Sequence, residues 1–534
     1  MRAALLPSTL LAAVLTAATA MPAIVAAADT GTYRNPVIKG FHPDPSICRV
    51  GKDYYLANST FEYFPGVPIF HSRDLVNWKL IGHALTRESQ LPLKGQRASR
   101  GIYAPTLRCE GGTFYMITTN VETGGNFIVH TKDPAGEWSE PVWLKEKTPW
   151  IDPSLFFDDD GTVYYTRHDG GEKGGIVQAR IDVKTGKLLE EPKRIWNGTG
   201  GVWPEGPHLY KVDGWYYLMI AEGGTSYDHM ITVARAKSPS GPFEAHKGNP
   251  ILSHRNHPAL PLQATGHGDL VQAEDGKWWM VLLGVRPQGG PNERKHHLGR
   301  ETLLAPVTWQ DGWPVVNGGK PLALEMSAAG LPTAAPWPKE PVRTHFDQPK
   351  LDLHWTFVRG PSTGLYSLSA RLGFLRLNGS KATLDDIATP AFVARRQQHL
   401  DARIAARIDF APDGPGQYAG LALRQNEANH YQLRVAGSKA ARRVELVTRV
   451  KGETKVVASA ALRPGPVDLQ VRAWPDRYQF SYAQDGKAPV LLGAAPTAAL
   501  SSEDAGGFTG VFAGVFATGA QADVDWFDYE ALGE

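Results

Sequence analysis

The chain has 534 residues, 42% of them hydrophobic and 21% charged, amounts that bury a real core and exclude global disorder. Its 56 basic and 54 acidic residues leave a net charge of +2, which provides no broad positive field to gather nucleic acid or an anionic membrane surface. The length predicts about two to four domains, and 15 Trp with 18 Tyr suit both a β-rich core and the apolar faces of sugar rings.

Arg2, an apolar run from Leu10 to Ala20 and the small residues Ala26-Ala27-Ala28 predict a signal peptide over residues 1–28. The mature protein is therefore expected to be exported, to the periplasm or the exterior. No later apolar stretch is long enough to span a bilayer, so no membrane partner is expected. With only Cys48 and Cys109 there is neither a disulfide framework nor a Cys-based zinc cage, although one bridge between the two is conceivable.

From residue 44 onward one pattern recurs five times: a small or acidic residue, a short strand, a turn, then a strand with paired aromatics. The copies are Asp44-Pro45-Ser46-Ile47 with Tyr54-Tyr55, Ala104-Pro105-Thr106-Leu107 with Phe114-Tyr115, and Asp152-Pro153-Ser154-Leu155 with Tyr164-Tyr165. Gly206-Pro207-His208-Leu209 with Tyr216-Tyr217 and Gly268-Asp269-Leu270-Val271 with Trp278-Trp279 complete the set. Each interval has room for about four short strands, and turn signals such as Asp275-Gly276 separate them. The prediction is an all-β protein: a five-bladed β-propeller over residues 29–320, with Cys48 and Cys109 on neighbouring blades. A Pro-rich linker over 321–345 follows, containing Leu331-Pro332 through Trp337-Pro338. In the segment Ala402–Phe410 every even position is apolar, and Tyr431-Gln432-Leu433-Arg434-Val435 alternates likewise, so residues 346–534 are expected to form a β-sandwich.

The first strand of each blade lines the central channel, so Asp44, Asp152 and Glu205 are expected to meet in one cavity although they are far apart in sequence. Glycosidic bond cleavage needs one carboxylic acid and one carboxylate. Three acids in one cavity repel one another, which keeps at least one protonated near neutral pH.

Asn35-Pro36-Val37, Phe41-His42-Pro43-Asp44-Pro45-Ser46 and Ser59-Thr60-Phe61-Glu62-Tyr63-Phe64-Pro65-Gly66-Val67 resemble glycoside hydrolase family 43. Tyr103-Ala104-Pro105-Thr106, Trp150-Ile151-Asp152-Pro153-Ser154, Glu205-Gly206-Pro207-His208, Gly266-His267-Gly268-Asp269 and Gly299-Arg300-Glu301-Thr302 continue the resemblance in the family's order. It covers essentially the whole mature chain and is nearest the β-xylosidase branch with α-L-arabinofuranosidase activity, which carries a C-terminal concanavalin-like sandwich. The resemblance implies an inverting mechanism with Asp44 as general base, Glu205 as general acid and Asp152 tuning the acid and orienting the substrate. It further implies that Arg300 bonds a sugar hydroxyl, Phe61 packs beside the ring and His267 lies under the acids. A C-terminal aromatic closes the pocket in such enzymes; Phe508 and Phe512 are the candidates, and Phe508 is the one expected to bind substrate. Tyr103, also at the pocket, stands where some relatives have Trp, and Gly268 where others have Ala; both departures bear on substrate preference.

The expected substrate is a xylo-oligosaccharide or an arabinoxylan-derived saccharide, attacked from its non-reducing end. The alternatives are an α-L-arabinofuranosidase and a non-catalytic carbohydrate-binding propeller, the latter having no need for the three acids together. No cofactor is expected to be required. A structural Ca²⁺ on the propeller axis, held by His267 through waters, is the one metal the resemblance allows for, and no Asp-rich loop with calcium-ligand spacing supports it. No feature of the chain fixes an oligomeric state.

Overall fold

The structure, a computed structural model, describes Met1, residues 31–361 and residues 363–533. Apart from Met1, the predicted signal peptide lies outside the described residues.

Short strands and tight turns fold residues 46–316 into five small antiparallel sheets in chain order. They open with the strands Ser46–Val50, Thr106–Glu110, Ser154–Phe157, Glu205–Val212 and Gln263–Gln272. These five strands touch one another in succession and the fifth touches the first, closing a β-propeller ring. The paired aromatics fall on the second strands, where successive side chains face opposite ways. Tyr54, Phe114, Tyr165, Tyr217 and Trp279, one ring from each pair, are buried, and in the fourth pair Tyr216 is buried as well.

The ring is tied across its axis by one buried carboxylate. Asp269 accepts from Ser46 Oγ (2.6 Å), Ile47 N (3.1 Å), Arg108 Nη1 (2.8 Å) and Tyr210 Oη (2.6 Å). Arg108 Nη2 also donates to His208 Nδ1 at 2.8 Å, and Ser154 Oγ lies 3.3 Å from the same nitrogen. Residues of all five sheets thus meet in one network. Burial opposes ionisation of Asp269, but the Arg108 guanidinium, with His208 and the hydrogen bonds, holds its carboxyl well below the usual range.

The N-terminal segment closes the ring from outside. Thr32–Arg34 pairs with Glu325–Ser327, Tyr33 Oη and Asn35 Nδ2 donate to the Leu304 carbonyl, and Asn35 Oδ1 accepts from Leu304 N. Cys48 and Cys109, on the first strands of the first two sheets, form a disulfide. Beyond the ring, Ala335 N donates to Asp74 and Trp337 Nε1 to the Asn77 carbonyl, so the Pro-rich stretch lies along the first sheet.

Residues from Arg343 onward form an eight-stranded and a six-stranded sheet packed as a β-sandwich. Ala402, Ile404, Ala406, Ile408 and Phe410 point into its core together with Leu421, Leu433 and Val435, as the alternation requires. The sandwich is fastened to the propeller. Tyr63–Phe64 pairs with Phe357–Val358, Tyr63 stacks on Phe512 with ring centroids 3.6 Å apart, and Arg424 Nη1 donates to Tyr63 Oη at 2.9 Å.

The disulfide closes a loop with a sequence separation of 61. Replacing both cysteines with Ala is expected to cost about 2–4 kcal/mol of propeller stability, read as a lower urea midpoint against the oxidised parent. An unchanged midpoint would mean that the bridge adds nothing to the folded ring.

Candidate active site

The starts of the first strands converge at one end of the ring. Asp44 sits two residues before Ser46–Val50, Asp152 two residues before Ser154–Phe157, and Glu205 begins its strand. Asp44 (φ 51°), Asp152 (φ 59°) and His267 (φ 48°) all adopt the left-handed backbone region, costing on the order of 1–3 kcal/mol each. Within that strand Glu205 is followed by Gly206 (φ 57°), where a Cβ would lie 2.9 Å from His267 Nε2. Only glycine lets the acid's strand pass that close to the axis.

These residues surround a cavity of about 790 Å³. Asp44, Asp152, Glu205, Phe61, Tyr103, His267, Arg300 and Phe508 all line it, so every site residue expected from the sequence is brought together. Of the two C-terminal aromatics, Phe508 reaches the cavity and is 38% exposed, whereas Phe512 is fully buried against Tyr63. Phe61, Tyr103 and Phe508 form a triangle of rings, with centroids 5.0 Å (Phe61–Tyr103), 6.0 Å (Phe61–Phe508) and 6.3 Å (Tyr103–Phe508) apart. The Arg300 guanidinium sits 5.5 Å from the Phe61 ring and 5.7 Å from that of Phe508. Gly268 packs its α-carbon close to Ile231 and Met280, where an added Cβ would approach each to 2.9 Å.

Trp150, Trp203, Thr225, Arg100 and Glu122 also line the cavity and were not anticipated. A signal for two of them existed: a Trp stands two residues before the acid in both Trp150-Ile151-Asp152 and Trp203-Pro204-Glu205.

The three carboxyls have different surroundings. Asp44 Oδ1 accepts from Arg300 Nη1 (2.9 Å), Oδ2 accepts from Ser59 Oγ (2.5 Å), and His267 Nδ1 lies 3.8 Å away. Asp152 accepts from Gly206 N at 3.1 Å. Burial pushes its carboxyl above the usual range; His267 works against this and the charge of Asp44 adds to it. Glu205 is pushed well above that range, first by burial and then by the charges of Asp152 and Asp44, with Arg300 the only opposing influence. Arg300 Nη1 also donates to Thr225 Oγ1 at 3.1 Å, and its buried Nε has no partner among the described residues.

Among the described residues no group of three or more His, Cys, Asp or Glu side chains is placed to hold a metal ion. Around His267 the donor set does not suit Ca²⁺: the carboxyls near it are Asp44, already bonded by Arg300 and Ser59, and Asp152, already bonded by Gly206 N, and the axis carries the Arg108 cation on Asp269.

Three crowded carboxyls, with Glu205 pushed to hold its proton and Asp44 bonded to a guanidinium, beside a sugar-sized cavity with aromatic walls are equipped to break a glycosidic bond, and the class is that of the glycoside hydrolases. The comparisons with known proteins agree. The model of glycosyl hydrolases family 43 matches residues 33–314, and that of the beta xylosidase C-terminal concanavalin A-like domain matches residues 343–530. The chain belongs to glycosyl hydrolase family 43. It is 44% identical over 514 residues to a non-reducing end alpha-L-arabinofuranosidase of Bacteroides ovatus, covering 94% of this chain and 95% of that protein. It is 41% identical over 498 residues to a xylosidase/arabinosidase of Butyrivibrio fibrisolvens, covering 91% and 95%. The solved xylan beta-1,4-xylosidase of Bacillus halodurans superposes with a TM-score of 0.88 at 36% identity, covering 93% of this chain and all of that one.

Glu205 binds its proton more tightly in the folded protein than in the unfolded chain. It therefore withdraws stability as pH rises above its ordinary unfolded value, and withdraws none below it. Glu205→Gln is expected to melt at a higher temperature than the parent at pH 7, with the difference vanishing near pH 4. Equal melting temperatures at both pH values would show that the carboxyl is not strained in place.

Proposed function

We propose that this protein is an exo-acting, inverting β-xylosidase that releases xylose from the non-reducing end of β-1,4-xylo-oligosaccharides. The observation that carries the reading is the unequal treatment of the carboxyls: Asp44 is bound by Arg300, whereas burial and two neighbouring charges keep a proton on Glu205. Glu205 donates that proton to the glycosidic oxygen as its bond to C1 breaks. Asp44 takes a proton from the water that attacks C1 from the opposite face, which yields the α-anomer. Asp152 supplies part of the repulsion that keeps Glu205 protonated and, through Gly206 N, fixes the backbone next to it. Phe61, Tyr103 and Phe508 wall the terminal sugar, Arg300 grips a hydroxyl, and His267 supports the acids from below.

Phe508 comes from the sandwich, so the second unit narrows the cavity to a chain end, which favours exo over endo action. The five sheets that open with equivalent strands support five blades, and the two family matches support a catalytic domain to about residue 320 and a sandwich from about 343; the stretch expected as linker, 321–345, includes the strand Glu325–Ser327 of the ring and the strand Arg343–His345 of the sandwich. The Arg2-to-Ala28 pattern supports export, and catalysis by carboxyls alone requires no cofactor. A second reading, α-L-arabinofuranosidase activity, is favoured by the name of the Bacteroides ovatus relative.

Time-resolved proton NMR with xylobiose, and separately with an arabinofuranosyl xylo-oligosaccharide, tests the proposal. α-Xylose is expected first from xylobiose, with Glu205→Gln inactive; β-xylose first would overturn inversion, and arabinose alone would establish the second reading. Activity on xylobiose is also expected to fall as pH rises through the elevated Glu205 value, because the acid is then lost. A rate that holds as pH rises would mean that Glu205 is not the donor.

A further inference from the structure

His168 ends the strand Val163–His168 of the third sheet and is fully buried. It does not line the cavity, yet it touches two residues that do, Trp150 and Trp203, and the residue before Glu205. Its Nδ1 lies 2.8 Å from the Pro204 carbonyl. A carbonyl only accepts, so Nδ1 carries the proton, and Nε2 is left without a partner among the described residues. Pro204 is the residue immediately before Glu205. The imidazole also sits between the two unanticipated tryptophans, with centroids 6.0 Å from Trp150 and 5.8 Å from Trp203.

Both tryptophans need holding. Trp203 has φ 52°, a conformation a bulky residue keeps only when its surroundings impose it, and its backbone N–H donates to the Glu172 carbonyl at 2.8 Å. The Trp150 ring lies on Gly170, where a Cβ would come within 2.5 Å of it, and the Trp150 carbonyl accepts from Asn126 Nδ2 at 2.9 Å. His168 fills the space between these two anchored segments. Burial lowers its proton affinity and keeps the ring neutral, as a one-donor bridge requires.

We propose that His168 is a positioning residue for the general acid: its bond to the Pro204 carbonyl, with its packing against Trp150 and Trp203, aims the Glu205 carboxyl at the leaving oxygen. The inference rests on the reading of Glu205 as the acid. Misaiming an acid matters when the leaving group is a sugar hydroxyl, which must be protonated, and matters little for 2,4-dinitrophenolate, which departs without a proton.

The test compares kcat/KM for xylobiose and for 2,4-dinitrophenyl β-xyloside, a ratio that does not depend on how much of a variant is folded. His168→Ala is expected to lower the xylobiose value at least about tenfold more than the aryl value. His168→Asn, which keeps a donor near the Nδ1 position, is expected to return the ratio to within about threefold of the parent. Should the Ala variant yield no folded protein, His168→Gln, whose donor is displaced by one carbon, takes its place. Equal losses on both substrates, or no rescue by Asn, would overturn the proposal. Glu205→Gln separates it from the reading beneath: if that variant loses equally on both substrates the acid assignment fails, and if it alone discriminates, only the role of His168 fails.

Discussion

Three carboxyl groups line one cavity, and of the three only Asp44 receives a cation at contact distance, from Arg300. Charges removed from water repel strongly, so the remaining carboxyls are driven toward their protonated forms. The rest of the site follows from that crowding. The sheets deliver the acids to one end of the ring, left-handed backbone at Asp44 and Asp152 turns them inward, and Gly206 leaves room for His267 beneath. A second charge pair, Arg108 with Asp269, lies further along the axis and holds the ring closed around the cavity. Stability spent on the acids is offset by bonds elsewhere in the same ring.

The cavity also depends on a buried network between the two units. Glu62, next to Phe61 in sequence, is fully buried, and its Oε2 accepts from Ser99 N at 2.9 Å. Ser99 Oγ in turn accepts from Phe508 N at 2.8 Å. Arg424 approaches Glu62 at 3.7 Å, and Arg359 and Arg424 both converge on Glu427. Buried charges of this kind contribute little net stability compared with apolar packing, but each demands its partner in one place. Here the result is that two aromatic walls from different units, Phe61 and Phe508, hold a fixed spacing.

Asp44 and Asp152 were legible because each immediately precedes the proline of a repeated turn, and Glu205 because it stands one residue further from the proline of its own copy; repetition fixes where such a turn lies in the ring. The sandwich strands were legible because alternation in Ala402–Phe410 maps directly onto one buried face. Trp150 and Trp203 were not, since an aromatic before a turn more often packs in a core than lines a cavity. His168 looked like any histidine ending a strand; only the tertiary fold shows the Pro204 carbonyl against it. Phe508 and Phe512 are four residues apart with similar chemistry. What separates them is that Phe512 begins the strand Phe512–Thr518, committing its side chain to the interface, while Phe508 precedes that strand.

The pairing of Thr32–Arg34 with Glu325–Ser327 bears on the order in which the protein acquires its properties during synthesis. Contacts between such distant parts of the chain form late and slowly, because the intervening loop must be closed before they return anything. A nascent chain lacks the outer strap of its ring until residue 327 has emerged, and it lacks one wall of its cavity until Phe508 has followed. Ring closure thus precedes completion of the cavity, and a chain cut short between the two would hold its acids in an open bowl. The cavity is complete only when the segment carrying Phe508 has been made and packed against Phe61.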